Sequence, residues 1–175
     1  MNCAIRRLTE EDAEAYREIR LKSLRDHPEA YASTFDSASA KPNDYWIQAL
    51  QTLSLFSALD QTGKLVGLVG FMQEHGDKDR HRGWLIQMYV DPAFRGSGCA
   101  LALVQTILDY AVGRVMQVHL GVWDQNPAAI RFYEKAGFHI YASDPRAYFW
   151  GGQFYGDHLM VRYLDEAPGK TNTND

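Results

Sequence analysis

The chain is poor in cysteine, has no long apolar run and carries no block of like charge, and each shortage excludes something. Its two cysteines, Cys3 and Cys99, stand far apart, and no metal-ligand spacing joins them to the histidines. Neither a disulfide framework nor a metal site is expected. The longest apolar runs are broken by polar residues or glycine well short of a membrane span. Met1 to Leu8 contains two arginines without the apolar segment of a signal peptide behind them. The expected compartment is therefore cytoplasmic, with no membrane partner. No run of like charge is long enough for a nucleic-acid tail, so no nucleic-acid partner is expected either.

What is present is an ordinary globular balance. Of 175 residues, 46% are hydrophobic and 23% charged, with a formal net charge of −4. That length suits one domain with a substantial core. A mildly acidic surface tolerates cationic amines better than polyanions. No internal repeat is visible. The expected organisation is a single domain over residues 1–164 and a loose polar tail over 165–175.

Along the chain, a short strand at Ala4 to Leu8 precedes Thr9-Glu10-Glu11-Asp12, a capping-box pattern. The helix it opens is predicted to end near Asp26, before Pro28. A second helix is predicted from Pro42 to about Gln51. Strand formers fill Leu53 to Leu59 and Lys64 to Glu74, around the hairpin signature Asp60-Gln61-Thr62-Gly63. Trp84 to Val90 reads as a third strand of this group, closed by Asp91-Pro92. Ala100, Val104, Ile107, Leu108 and Ala111 recur at helical spacing. Val115 to Val122 reads as a strand, and Asn126-Pro127 as a helix start with its stop at Gly137. Phe138 to Tyr148 and Phe154 to Leu164 form the last strand pair. The predicted class is α/β (α+β): a mixed sheet of about seven strands with about four helices.

The stretch richest in chemistry runs from Met88 to Ala100. A strand ends, a tight loop follows, and small residues lead straight into a helix. The free N–H groups and positive dipole end of a helix start attract anions. Gly96 and Gly98 permit unusual dihedrals and close ligand approach, which suits a pyrophosphate. A tight turn that needs glycine only for packing is the rival explanation. Neither a Gly-Lys-Ser/Thr phosphate loop nor a G-x-G-x-x-G fingerprint is present.

Arg95-Gly96-Ser97-Gly98-Cys99-Ala100 resembles the Q/R-x-x-G-x-G/A signature of the GNAT superfamily of N-acetyltransferases. Asn126 to Phe138, NPAAIRFYEKAGF, is similar to that family's N-x-x-A-x-x-F-Y-x-x-x-G-F segment. The resemblance extends from about Ala4 to Leu164. It implies a single family-type domain, acetyl-CoA as acyl donor, an amine as acceptor, and transfer without a metal. It further implies that the main chain at Met88, Tyr89 and Val90 pairs with the pantetheine arm. Backbone N–H groups of Arg95, Gly96, Ser97, Gly98, Cys99 and Ala100 would hold the pyrophosphate. Asn126 would touch the pantetheine, and Tyr133 would be catalytic, beside the thioester sulfur. A homodimer is a further expectation carried by the family.

Several of these residues have a second reading. Asn126 can be only a helix cap and Tyr133 only a core aromatic. Cys99 stands where the family usually has an aliphatic residue. It is either a small buried hydrophobe or a thiol whose pKa a helix start lowers. Many family members carry a glutamate base on the strand of Trp84 to Val90. Here only Gln87 is present, and an amide is no useful proton acceptor. The nearby titratable residues are Glu74, His75, His81, His119 and Asp124, with no order among them. Tyr31, Phe35, Tyr45, Trp46, Tyr148, Phe149 and Trp150 fall where the acceptor pocket is expected, as an aromatic site, a core or a dimer contact. A non-catalytic module that binds acyl-CoA, or an acyltransferase for protein N-termini, is the alternative function.

Overall fold

The computed structural model describes residues 3–165; the predicted tail, beyond Asp165, lies outside the described residues. Seven strands form one sheet in the order β1-β2-β3-β4-β5-β7-β6. They are β1 (Ala4–Arg7), β2 (Ser54–Leu59), β3 (Leu65–Gln73), β4 (Arg82–Val90), β5 (Gln117–Trp123), β6 (His139–Trp150) and β7 (Gln153–Tyr163). The helices are α1 (Ala13–Asp26), α2 (Phe35–Ser39), α3 (Asn43–Thr52), α4 (Cys99–Ala111) and α5 (Pro127–Lys135). All strand pairs are antiparallel except β4 with β5. The predicted class stands. The addition is α2, a single turn capped by Thr34, which accepts from the Ser37 N–H at 3.2 Å. Five residues are too few to show a helical period.

Two apolar layers sandwich the sheet. On one face, α4 buries Cys99, Leu103, Val104, Ile107, Leu108 and Ala111, a single stripe at helical spacing. These residues pack with Val69, Phe71, Val118, Leu120 and Met160, joined by Tyr133 and Phe138 around α5. On the other face, Tyr16, Leu24, Trp46 and Leu50 from α1 and α3 meet Leu55, Leu68 and Tyr89. Central β3 is buried through Val66–Phe71, as a strand covered on both faces must be. Gly67 sets the depth of α4, since a Cβ there would stand 2.9 Å from Leu103 Cδ1.

The start of α1 is tied down by charge. The Thr9 N–H donates to Asp12 Oδ2 at 2.8 Å, and Arg6 holds the same carboxylate at 2.6 Å. The Arg6 hydrogen bond, with the Thr9 N–H, lowers the Asp12 carboxyl to about 2. A depressed carboxylate stabilises the fold above its unfolded pKa and loses that contribution as pH falls towards 2. Arg6 is largely exposed, so Asp12→Asn is expected to cost no more than about 1 kcal/mol at neutral pH. Chemical denaturation should show the gap between the two proteins closing as the solution is acidified.

One expectation is corrected. Cys3 and Cys99 are joined as a disulfide, with Cα atoms 5.4 Å apart. Separation in sequence concealed this, because α4 lies across β3, β2 and β1 and so brings its first residue beside the chain entering β1.

Candidate active site

β4 and β5 pair only from Arg82↔Gln117 to Trp84↔His119, and beyond that point the two strands separate. The cause lies in β4. Its register against β3 jumps between Leu68↔Tyr89 and Gly70↔Ile86, which leaves Gln87 and Met88 opposite a single residue. Gln87 has φ +56, the only non-glycine residue with positive φ among the described residues. Such a conformation costs energy and must be held by its surroundings. Tyr16 helps hold it, donating its hydroxyl to Gln87 Oε1 at 3.0 Å. The bulge bends β4 away from β5 and opens a V-shaped cleft in the sheet.

The predicted strand residues lie on this opening. The Met88 carbonyl accepts the Tyr31 hydroxyl at 2.7 Å. A carbonyl has two lone pairs, so one remains for a ligand amide. Burial pushes the Tyr31 phenol up to about 12, and the Arg20 guanidinium lies 4.5 Å from its ring centroid. The Tyr89 side chain turns to the α1 face, where its hydroxyl meets Lys22 at 3.0 Å and Asp26 at 2.8 Å. Met88 and Val90 pack their side chains against the α4 core.

The loop after β4 leads into α4. Asp91 Oδ1 accepts the Ala93 N–H at 3.0 Å and starts a short turn. Gly96 has φ +74, and Gly98, the cap of α4, has φ +89. A Cβ at either position would meet nothing within 4 Å, so open space lies over the helix start. The first helical bond to Gly98 comes from the Ala102 N–H at 3.0 Å, so the N–H groups of the first helical turn have no partner within the helix. The side chains of this segment are engaged elsewhere. Arg95 reaches His27 at 2.8 Å, and Ser97 Oγ turns inward to Phe94 O and Cys99 Sγ. The expected set narrows, because the Arg95 and Ser97 N–H groups donate to Pro92 O at 3.3 Å and Phe94 O at 3.4 Å within the turn, while those of Gly96, Gly98, Cys99 and Ala100 make no backbone bond among the described residues.

Cys99 is 1% exposed and joined to Cys3, which removes the reactive-thiol reading. Cys99→Ala is expected to keep coenzyme A affinity and any transfer rate within a few-fold, because the loop presents its main chain. Its melting temperature should fall further under oxidising conditions, where the parent has the cross-link, than under reducing ones, where only the packing of the buried sulfur is lost. A rate loss beyond about a hundredfold, roughly 2.7 kcal/mol of barrier, would show that the sulfur takes part.

Asn126 accepts the Ala129 N–H at 3.0 Å and so caps α5. Its amide nitrogen makes no hydrogen bond among the described residues. Tyr133 is 7% exposed and packs edge-on against Phe132 and Phe138. Burial pushes its phenol well above the ordinary value, and the neighbouring Tyr31 adds to the effect. Tyr31 and the Met88 carbonyl are joined at the cleft, and Tyr133 lies in the adjoining core with its ring against Phe132 and Phe138.

Where the acceptor pocket is expected, a cavity of about 560 Å³ lies between the C-terminal end of α1, α2 and the β6–β7 hairpin. Tyr31, Phe35, Tyr148, Phe149, Trp150 and Tyr155 give it aromatic walls. Two expected members are elsewhere. Trp46 is 1% exposed in the core against Tyr16, and Tyr45 lies on the surface.

The expected bases fare unequally. Glu74 accepts the Trp84 indole N–H at 2.8 Å. His75 and His81 belong to the turn before β4, at the closed end of the cleft. His119 is buried, and burial together with nearby Arg82 lowers its pKa to about 4, so it is neutral. Asp124, just past β5, has a buried Oδ1 without a partner. Sequence reasoning overlooked Asp157 of β7. Its carboxylate takes the Tyr148 hydroxyl at 3.2 Å and is raised above the usual range, mainly by burial. A signal for it existed: isolated glycines inside strands mark close approach. A Cβ on Gly121 would stand 2.9 Å from Asp157 Oδ2, and one on Gly156 would collide with Asp124.

Comparison with known proteins identifies the family and the fold. Residues 8–138 match the model of the acetyltransferase (GNAT) family. An uncharacterized N-acetyltransferase of Mycobacterium bovis is 37% identical over 81 residues, 46% of this chain and 51% of that protein. A mycothiol acetyltransferase of Thermobispora bispora is 30% identical over 131 residues, 73% of this chain and 43% of that protein. The chain thus spans about half the length of the curated relatives it matches. The same fold occurs in a GNAT-family acetyltransferase from Streptococcus pneumoniae, with TM-score 0.82 and 22% identity over 93% of this chain and 100% of that one. It also occurs in yncA from Salmonella typhimurium, solved with its cofactor acetyl-CoA, with TM-score 0.76 and 22% identity over 98% of this chain and 99% of that one. The seven-stranded sheet and its helices are the fold of these acetyltransferase structures. This chain belongs to the GNAT acetyltransferase family.

Proposed function

We propose that the protein transfers an acetyl group from acetyl-CoA to a primary amine of a small molecule or peptide. The observation that carries this reading is the continuity of cleft and loop. The split between β4 and β5 opens beside the unpaired N–H groups at the start of α4. An extended amide chain fits the open edge of β4 as an added strand, with its pyrophosphate on the helix start. The residues for this task are the main chain of Met88, Tyr89 and Val90, the backbone N–H groups of Gly96, Gly98, Cys99 and Ala100, and the Asn126 amide. The acetyl-CoA bound by yncA supports the choice of donor.

The amine nitrogen attacks the thioester carbonyl, whose oxygen gains charge next to the main chain of the bulged strand. Holding both reactants in one cleft supplies proximity, and fixed donors stabilise the developing oxyanion. As the C–S bond breaks, Tyr133 gives its phenolic proton to the departing thiolate. The reading is tested by calorimetry with acetyl-CoA and by thiol release with a panel of primary amines. Binding without release to any amine would favour the other reading, a non-catalytic acyl-CoA module. Gln87 standing at the bulge in place of a carboxylate is the observation behind that alternative.

A further inference from the structure

We propose that Asp157 is the general base of the transfer, accepting the proton of the attacking amine, and that Tyr148 is its positioning residue. This rests on the acetyltransferase reading above. β5 pairs with β4 as far as His119, and Gly121 is therefore the second residue beyond the fork. Asp157, opposite Trp123 in the β5–β7 pairing, lays Oδ2 over the bare Cα of Gly121, 2.9 Å from where a Cβ would stand. The carboxylate thus occupies space beside the apex of the cleft that a side chain on β5 would otherwise fill. Tyr148, which lines the aromatic cavity, donates to the same Oδ2 at 3.2 Å. One carboxylate therefore connects the proposed acceptor cavity with the fork, where the strand bulge presents its main chain.

The surroundings suit the role. Desolvation dominates the upward displacement of the Asp157 carboxyl, and Asp124 at the end of β5 and Asp144 on β6 reinforce it. The Tyr148 hydroxyl and His158 act in the opposite direction, favouring the ionised form. A carboxylate above its usual range is a stronger base, closer in pKa to the group it serves. Neighbouring negative charge also draws an ammonium into the cavity.

The step balances. The amine lone pair forms the C–N bond, the C–S bond breaks, and the proton released from nitrogen passes to Asp157. Tyr133 supplies one proton to the thiolate, and both side chains are reset by exchange with water. The products are the acetamide and the free thiol.

The test measures thiol release from acetyl-CoA against pH with aliphatic, aromatic, polyamine and peptide amines. It uses the wild-type chain, Asp157→Asn and Tyr148→Phe. For whichever amine reacts, Asp157→Asn is expected to lose about 10²-fold in kcat/KM, the scale of a general base. Its acidic limb should vanish, while acetyl-CoA affinity by calorimetry stays unchanged. Tyr148→Phe should keep the limb but move it to higher pH, because the ionised carboxylate loses a donor. Asp157→Asn within a few-fold of wild type, limb intact, would overturn the assignment and leave the transferase reading standing. If wild type binds acetyl-CoA but acetylates no amine, the transferase reading falls and this inference falls with it. Should Asp157→Asn not fold, the Tyr148→Phe profile decides, and an unmoved limb overturns the proposal.

Discussion

Gly98→Val is expected to abolish coenzyme A binding while the sheet and its two cores remain folded. Two effects act together at this position. Gly98 has φ +89, a conformation that costs an ordinary L-residue about 1–2 kcal/mol and is an outlier for a β-branched one. The chain can relieve that strain by turning the peptide planes that aim N–H groups at the open space. The valine methyls also enter the volume over the helix start, where nothing now stands within 4 Å. Calorimetry with coenzyme A, alongside circular dichroism, reads the outcome. Gly113→Ala supplies a control for strain alone, since Gly113 has φ +75 and open surroundings beyond the far end of α4. Unchanged affinity in folded Gly98→Val would remove the anion site from the loop.

Tyr133→Phe is expected to lower kcat by about 10²-fold with little change in acetyl-CoA affinity. The substitution keeps the ring that packs on Phe132 and Phe138 and deletes only the hydroxyl. Burial keeps the phenol protonated at any pH of interest. A free thiol has a pKa near 8.5, so proton transfer from a phenol is uphill in water. Within the cleft the comparison changes, because desolvation raises the pKa of the departing thiolate as well. In the proposed mechanism Tyr133 contributes a proton placed at the sulfur as charge develops. Steady-state kinetics on the folded variant, with a binding isotherm, separates the possibilities. Retained kcat would make Tyr133 a packing residue; collapsed affinity would make its hydroxyl a contact for the cofactor.

The order of elements was readable in the chain because it depends on local patterns. The apolar stripe of α4, the Asn126-Pro127 start of α5 and the strand-former runs of β2 and β3 around their hairpin turn each report on neighbours a few residues away. The loop was legible for the same reason, since Gly96 and Gly98 meet a conformational need of their own positions. The disulfide was not legible. It joins residues 96 apart that meet only because α4 crosses the sheet towards β1. The acceptor wall was half legible: aromatic content marked the segments, yet only packing sent Trp46 into the core and Tyr148 into the cavity.

The amino-acid sequence by itself determined the family, the strand and helix order, and the glycine-capped helix start, all of which rest on residues adjacent in the chain. Only the tertiary structure decided where β4 leaves β5, that Gln87 adopts φ +56, and that Tyr31 covers the Met88 carbonyl. It alone brought Asp157 over Gly121. The physical reason is the same in each case. Strand register and side-chain burial are settled between segments distant in sequence, and a proton acceptor is defined by the groups that surround it in space.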